Sequence, residues 1–328
     1  MDEIKGIVNH LGTAILPSLL PIQDLLGPLL IKNKDQILSV PSTSHKYGPH
    51  PRNELDVYTS TSHEQPSPIL IWLYGGGLVA GDKTDTSFAD GLTFHNLGAF
   101  FAQRGFTVVI PDYRRVDSID PVTHKPTGEG AVYPSGGEDL SLALTWVEHN
   151  LCKDKSVDVF IMGHSAGGTH LATFLLDPAF AAQRNRLVSG ASPLRLRGAI
   201  PASAPFTWDT MNLERTPVIT TYFGDMRDKL RDRTAQHQLE VFGTTRVANQ
   251  DVQPKWLIVE AEWDPRNEVL DSGDKFYATA KKVIPDQVEY LELKGHNHLS
   301  YPWSLMVGQA EDQWGVQIIA WMRKTLGQ

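Results

Sequence analysis

The apolar run from Val157 to Met162 leads without a break into Gly163-His164-Ser165-Ala166-Gly167-Gly168. Such a run reads as a strand covered on both faces, and Ala166 to Leu176 behind it reads as a helix. Little but the serine separates them, so the chain must reverse in a turn so sharp that small residues are needed two before and two after Ser165. That places the Ser165 hydroxyl at the carboxyl edge of a sheet and at the N-terminus of a helix. A glycine-rich turn with a solvent-facing serine is the bland alternative, and the strand–turn–helix setting argues against it.

The rest of the chain repeats this alternation. Gln36 to Val40 and Leu55 to Thr59 read as two short strands around a Pro/Gly-rich turn. Ile69 to Tyr74, Phe106 to Ile110, Leu196 to Pro201, Trp256 to Ala261 and Val288 to Leu293 continue the series of strands. Phe88 to Gln103 and Gln313 to Lys324 have helical character, and Ser135-Gly-Gly-Glu138 reads as a capping box opening a helix through His149. Strands alternating with helices predict an α/β fold, a mostly parallel sheet covered on both faces. Two segments break the rhythm. Residues 115–133 are rich in Pro, Gly and Asp, and 206–254 carry helical patterning and many charges without a convincing strand. Insertions of that length often serve as lids or binding loops. The expected organisation is N-terminal cap helices over 1–35, a catalytic domain over 36–205 and 253–328, and a cap insertion over 206–252.

Composition narrows the partners. The 328 residues carry 30 Lys+Arg against 38 Asp+Glu, a net charge of −8, and no basic stripe that could bind nucleic acid phosphates. The single cysteine, Cys152, excludes an intramolecular disulfide framework and fits a reducing compartment. The N-terminus lacks a positive n-region, so a cytoplasmic location is expected. Ile7 to Ile31 is apolar, but polar residues and Pro17, Pro21 and Pro28 interrupt the roughly 20 clean positions a spanning helix wants. Short amphipathic helices are expected there, without stable membrane insertion. A homodimer is compatible with the sequence, which does not specify one.

A serine hydroxyl needs a base to take its proton. Two histidines compete in Gly295-His296-Asn297-His298, just past the last strand, and position relative to the glycine favours His298 with His296 as its neighbour. The imidazole needs a carboxylate to set its tautomer, and Asp264 in Glu262-Trp263-Asp264-Pro265 follows a strand at the expected place. Glu260 and Glu262 are rivals on or at the end of that strand, and an N-cap before Pro265 is the plainer reading of Asp264. An oxyanion hole requires backbone N–H groups, which Tyr74-Gly75-Gly76-Gly77 can bring close to a substrate. The donors would be Gly76, Gly77 and Ala166. His164 is expected to pack beside the site. Metal and dinucleotide signatures are missing: no H-E-x-x-H, no cysteine pair and no strand-linked G-x-G-x-x-G, so neither metal nor cofactor is expected.

Together these motifs resemble the α/β-hydrolase fold, and more closely the hormone-sensitive-lipase-like esterases and the neighbouring formamidase-like hydrolases. The resemblance covers residues 52–325 and rests on Tyr74 to Gly77, Asp112-Tyr113-Arg114, Tyr133-Pro134 with Glu138-Asp139, Gly163 to Gly167, Glu262 to Pro265 and Gly295 to His298. It implies that Asp112 and Arg114 form a partly buried ion pair bracing the glycine loop. The family's loop usually begins His-Gly-Gly, and Tyr74 here replaces that histidine. The expected chemistry is hydrolysis of a small carboxylic ester through an acyl-Ser165 intermediate. The same machinery suits an aryl formamide, thioester or lactone, or acyl transfer, and a non-catalytic binding protein is the competing class. Leu19, Leu20, Leu25, Phe206, Trp208 and Tyr222 are candidates for an apolar pocket, although packing is the simpler role of each.

Overall fold

The computed structural model describes residues 1–62, 66–119, 124–153, 155–209, 213–224, 227–245, 252–308, 310 and 312–328, the side chains of 227–229 excepted. The 206–252 insertion and the 115–133 excursion are therefore described only in part. The strands are β1 (Ser42–Lys46), β2 (Glu54–Tyr58), β3 (Ile69–Leu73), β4 (Thr107–Pro111), β5 (Ser118–Ile119), β6 (Pro126–Thr127), β7 (Val157–His164), β8 (Leu194–Ala202), β9 (Lys255–Trp263) and β10 (Val288–Asn297). Eight of them form one sheet in the order β1-β2-β4-β3-β7-β8-β9-β10. β1–β2 and β2–β4 pair antiparallel, and every later pair is parallel.

The continuous apolar runs are explained by two cores. Ile69, Ile71 and Leu73 of β3 point into one face, together with Leu144, Leu175, Leu187 and Phe276 from helices. Leu70 and Trp72 point into the other, against Phe100, Tyr301, Trp314 and Ile318. With period two, a strand buried on both faces has no polar position left, which is why β3 reads as unbroken hydrophobics. In chain order the helices are α1 (Asp2–Leu11), α2 (Ile15–Lys32), α3 (Lys34–Leu38), α4 (His95–Ala102), α5 (Ser135–Val147), α6 (Ala166–Leu176) and α7 (Ala181–Ser189). After them come α8 (Thr216–Phe223), α9 (Arg227–Asp232), α10 (Ala235–Thr245), α11 (Asp271–Val283), α12 (Ser300–Ser304) and α13 (Gln313–Leu326).

Four expectations need correcting. Gln36 to Val40 is not a strand: α3 covers Lys34–Leu38, and the first strand is β1 beyond it. Val40 and Ile37 are both buried, so their apolar spacing reports a packed helical turn that a short window cannot tell from a strand. Ser135 does not cap α5, which begins at Ser135 itself with Pro134 in the cap position and no side-chain cap. The region from Ile7 to Ile31 is not a set of short helices, because α2 runs 18 residues straight through Pro21 and Pro28. Each proline withholds one N–H from the ladder, but burial of Ile22, Leu26 and Leu30 along one stripe outweighs that loss. By length and composition α2 could cross a membrane; here Ile22 and Leu26 pack with Ile4 of α1 against Trp263, Leu299 and Trp303. Lastly, Asp112 and Arg114 do not pair with each other, as described below.

The N-terminal helices and α8 of the 206–252 insertion lie at the carboxyl edge of the sheet. α1 and α2 rest on the loops after β9 and β10. α8 packs through Ile219, Tyr222 and Phe223 on Leu78, Val79 and Ala166. Among the described residues, 206–252 contain α8, α9 and α10 and no strand.

Candidate active site

Ser165 sits between β7 and α6 with φ 52 and ψ −119, a backbone conformation that costs a non-glycine residue on the order of 1–3 kcal/mol. The surrounding glycines make the turn possible. A Cβ on Gly163 would stand 2.4 Å from the Gly167 carbonyl oxygen, and one on Gly167 would stand 2.2 Å from the Leu73 carbonyl oxygen. Neither contact can relax, because both partners are backbone. The N–H of Ser165 donates to the Ala202 carbonyl at 2.8 Å, tying the elbow to the end of β8.

His298 Nε2 lies 3.0 Å from Ser165 Oγ, and His298 Nδ1 lies 2.7 Å from Asp264 Oδ1. Asp264 is buried, and its other oxygen accepts from Ser203 Oγ at 2.6 Å and from the Ala261 N–H at 2.7 Å. With both oxygens engaged, the carboxylate cannot swing away, so it orients the imidazole. Asp264 does not cap a helix, since the following π-helical turn Arg266–Leu270 is capped by Pro265. Ser203, itself at φ 48 and fully buried, is a member of this arrangement that sequence reasoning missed. Only its position just past β8, beside the elbow strand, could have pointed to it.

The rival residues have other roles. His296 is buried with Nδ1 3.2 Å from Ser300 Oγ, and burial pushes its imidazole down to about 4. Glu262 accepts from the Gly295 N–H at 2.8 Å and thereby straps the loop that carries His298. Glu260 takes the Tyr290 hydroxyl at 2.9 Å. His164 packs beside the site: its ring is parallel to Trp72, and its Nε2 donates to the His298 carbonyl at 3.0 Å. Burial keeps it neutral, with the proton on Nε2 because the carbonyl can only accept.

The glycine loop after β3 follows the same logic. Gly76 has φ 153 and a Cβ there would collide with the Ala80 carbonyl oxygen at 1.9 Å; Gly77 has φ 60. Among the described residues, none accepts a hydrogen bond from the N–H of Gly76, Gly77 or Ala166. Tyr74 supports the loop in a way the residue type did not suggest. Its buried ring stacks between Tyr113 and Phe94, its hydroxyl donates to Asp112 at 2.7 Å, and it accepts from Arg52 Nη2 at 2.8 Å. Arg52 also donates to the Gly81 and Tyr113 carbonyls and pairs with Asp82 at 2.7 Å. Asp112, which burial pushes up despite Arg52 beside it, is thus the partner of Arg52 and Tyr74. Arg114 instead bonds Asp139 at 3.0 Å and Glu138 at 2.8 Å.

A cleft opens above Ser165 and His298, walled by Ile15, Leu78, Trp208, Val218, Ile219 and Val269. Of the proposed lining residues only Trp208 faces it. Phe206 stacks on Phe276 in the main core, Tyr222 is on the buried face of α8, Leu25 packs against α1, and Leu20 is exposed. Two charged side chains also line the cleft, Arg215 and Glu268, joined at 3.2 Å.

This sheet order, with a serine elbow after one strand and an aspartate and histidine after two later ones, is the α/β-hydrolase fold. The chain is an α/β-hydrolase-fold protein related to esterases and lipases. Residues 55–180, from β2 to just past the helix behind the elbow, match the BD-FAE family. Human bile salt-activated lipase is 27% identical over 187 residues, which are 54% of this chain and 24% of that protein. Liver carboxylesterase 1 of Oryctolagus cuniculus is 26% identical over 271 residues, 80% of this chain and 42% of its own. The chain therefore spans less than half the length of either relative. Among solved structures, a tributyrin-phosphonate-inhibited esterase B from Lactobacillus rhamnosis superposes with a TM-score of 0.61 at 12% identity, covering 95% of this chain and 96% of that one.

Proposed function

We propose that the chain hydrolyses carboxylic esters of small organic substrates through an acyl-Ser165 intermediate. The carrying observation is the unbroken line Asp264–His298–Ser165, at 2.7 and 3.0 Å, ending on the floor of an apolar cleft. His298 takes the Ser165 proton on Nε2 as Oγ attacks the carbonyl carbon, and Asp264 stabilises the imidazolium. The oxygen turned negative lies toward the N–H groups of Gly76, Gly77 and Ala166, at the start of a helix whose dipole favours it. His298 then gives its proton to the leaving alkoxide, and the C–O bond to the alcohol breaks. In the second half a water loses its proton to His298 and attacks the acyl carbon. The acid departs as Oγ recovers the proton.

The wall of apolar side chains supports an acyl or aryl group as the occupant, and the structural neighbour inhibited with a tributyrin phosphonate is by its own description an esterase. A fluorophosphonate probe followed by peptide mapping tests the reading. Labelling is expected at Ser165, with none in Ser165→Ala and little in His298→Ala. A folded protein that the probe leaves unlabelled would overturn it.

A further inference from the structure

We propose that Arg215 is a carboxylate-binding residue of this cleft, selecting esters whose acyl group carries a second, ionised carboxyl group a few bonds from the scissile carbonyl. The inference rests on the hydrolase reading and adds a substrate class to it.

Among the described residues, the lining apart from Ser165, His298 and the Arg215–Glu268 pair is apolar or glycine, so a partly buried guanidinium with donors to spare stands out there. Arg215 ends the short turn Leu213–Arg215 that leads into α8, and only 26% of its side chain is exposed. Glu268, which also lines the cleft, holds it by accepting from Nε at 3.2 Å. That contact uses one of the five donors of the guanidinium. Among the described residues none accepts from Nη1 or Nη2. The free edge is also placed against the loop expected to hold the oxyanion, since Nη1 stands 2.8 Å from the position a Cβ on Gly77 would take. The contact places the guanidinium tip directly over this loop, while the positive φ at 77 by itself favours glycine.

A carbonyl oxygen bound by the Gly77 N–H puts the first atoms of the acyl chain next to that edge. The two Nη groups form a planar fork that matches a carboxylate with two parallel hydrogen bonds, geometry a lysine could not supply. Half-esters of short dicarboxylic acids present a carboxylate at about this reach. Glu268 fixes the fork through Nε and leaves the Nη edge toward the cleft. Its own negative charge also opposes the incoming anion, which gives the pair opposite mutational signs.

The test compares kcat/KM for para-nitrophenyl butyrate and for mono-para-nitrophenyl succinate, which differ in the terminal carboxylate. The readout is the ratio of succinate to butyrate. Arg215→Met is expected to lower this ratio about tenfold or more, the size of one hydrogen-bonded charge contact. Glu268→Gln is expected to raise it, and added salt to reduce it in the parent protein. Arg215→Lys, which keeps charge and stem but lacks the fork, is expected to fall between and carries the test should the methionine variant not fold. A ratio unchanged in Arg215→Met, or lowered equally by both Arg215→Met and Glu268→Gln, would make the pair a strut under α8 and overturn the proposal. Failure of the hydrolase reading looks different: neither ester turns over and the fluorophosphonate leaves Ser165 unlabelled. Labelled Ser165 with butyrate turnover but no succinate turnover would defeat the carboxylate site alone.

Discussion

At the scale of single residues, Ser165 was legible because the elbow can only be built one way. A Cβ at either glycine would stand 2.4 or 2.2 Å from a backbone oxygen, which leaves no freedom in residue type, so the constraint is written into the chain itself. The base was narrower but not unique. His296 and His298 lie two apart, a spacing that regular strand alternation would send to one side, but β10 ends at Asn297 and His298 belongs to the turn beyond it, so the two side chains meet different surroundings. One meets Ser300 and the other meets Asp264 and Ser165. His298→Ala is accordingly expected to lower kcat by about four orders of magnitude or more, as loss of the base does in serine hydrolases. His296→Ala should be read mainly in Tm, because it empties a buried site away from the serine. Asp264→Asn should cost about 10⁴ in kcat by leaving the imidazole in the wrong tautomer. Steady-state kinetics of the three variants, with Tm measured alongside, checks the ranking; equal losses from His296→Ala and His298→Ala would contradict it.

At the scale of elements, the glycine loop shows why a motif departure need not be a functional departure. Tyr74 stands where the related family has histidine, yet it braces the loop by stacking on Tyr113 and bonding Asp112 and Arg52. Arg52 lies 22 positions earlier in a Pro/Gly-rich turn, and no local pattern connects it to the loop. Only the antiparallel pairing of β2 with β4 carries the turn before β2 to that place. Removing the hydroxyl leaves two charged groups short of a buried partner, which costs roughly 1–3 kcal/mol. Tyr74→Phe should therefore lower Tm. It should also lower kcat more than it changes KM, by about tenfold, since a loosened donor loses only part of the hundred- to thousandfold that an absent one loses. An unchanged kcat would mean that the stacking alone holds the loop.

At the scale of the molecule, buried ionisable groups set the pH range of stability. Burial raises the Glu260 carboxyl from 4.5 to about 8. In that window the native state holds a proton that the unfolded state has released, so stability falls as pH rises from 4.5 and levels off above 8. Glu260→Gln keeps the shape of the protonated form. It should raise Tm more at about pH 9 than at about pH 5, with a difference on the order of a few kcal/mol at most. Melting curves at the two pH values check this, and equal shifts at both would refute it. Acid acts through the histidines. His296 and His170 are held down to about 4 and about 3 by burial, so the unfolded state gains protons first and stability drops as pH falls below about 6.5.

Local chemistry was enough to read the strands, the elbow, the glycine loop and the pair of loops that would supply acid and base, because each is a short-range pattern that backbone sterics enforce. It misread Gln36 to Val40 and the prolines of α2, where burial against distant side chains overrides local preference. The pairing of Asp112 with Arg114 that the family resemblance implied is also not made. Folding decided the partners: Arg52 for Asp112, Ser203 for Asp264, Arg215 over Gly77. These are contacts between residues tens of positions apart, and their geometry exists only once the sheet has brought the crossover loops to one edge.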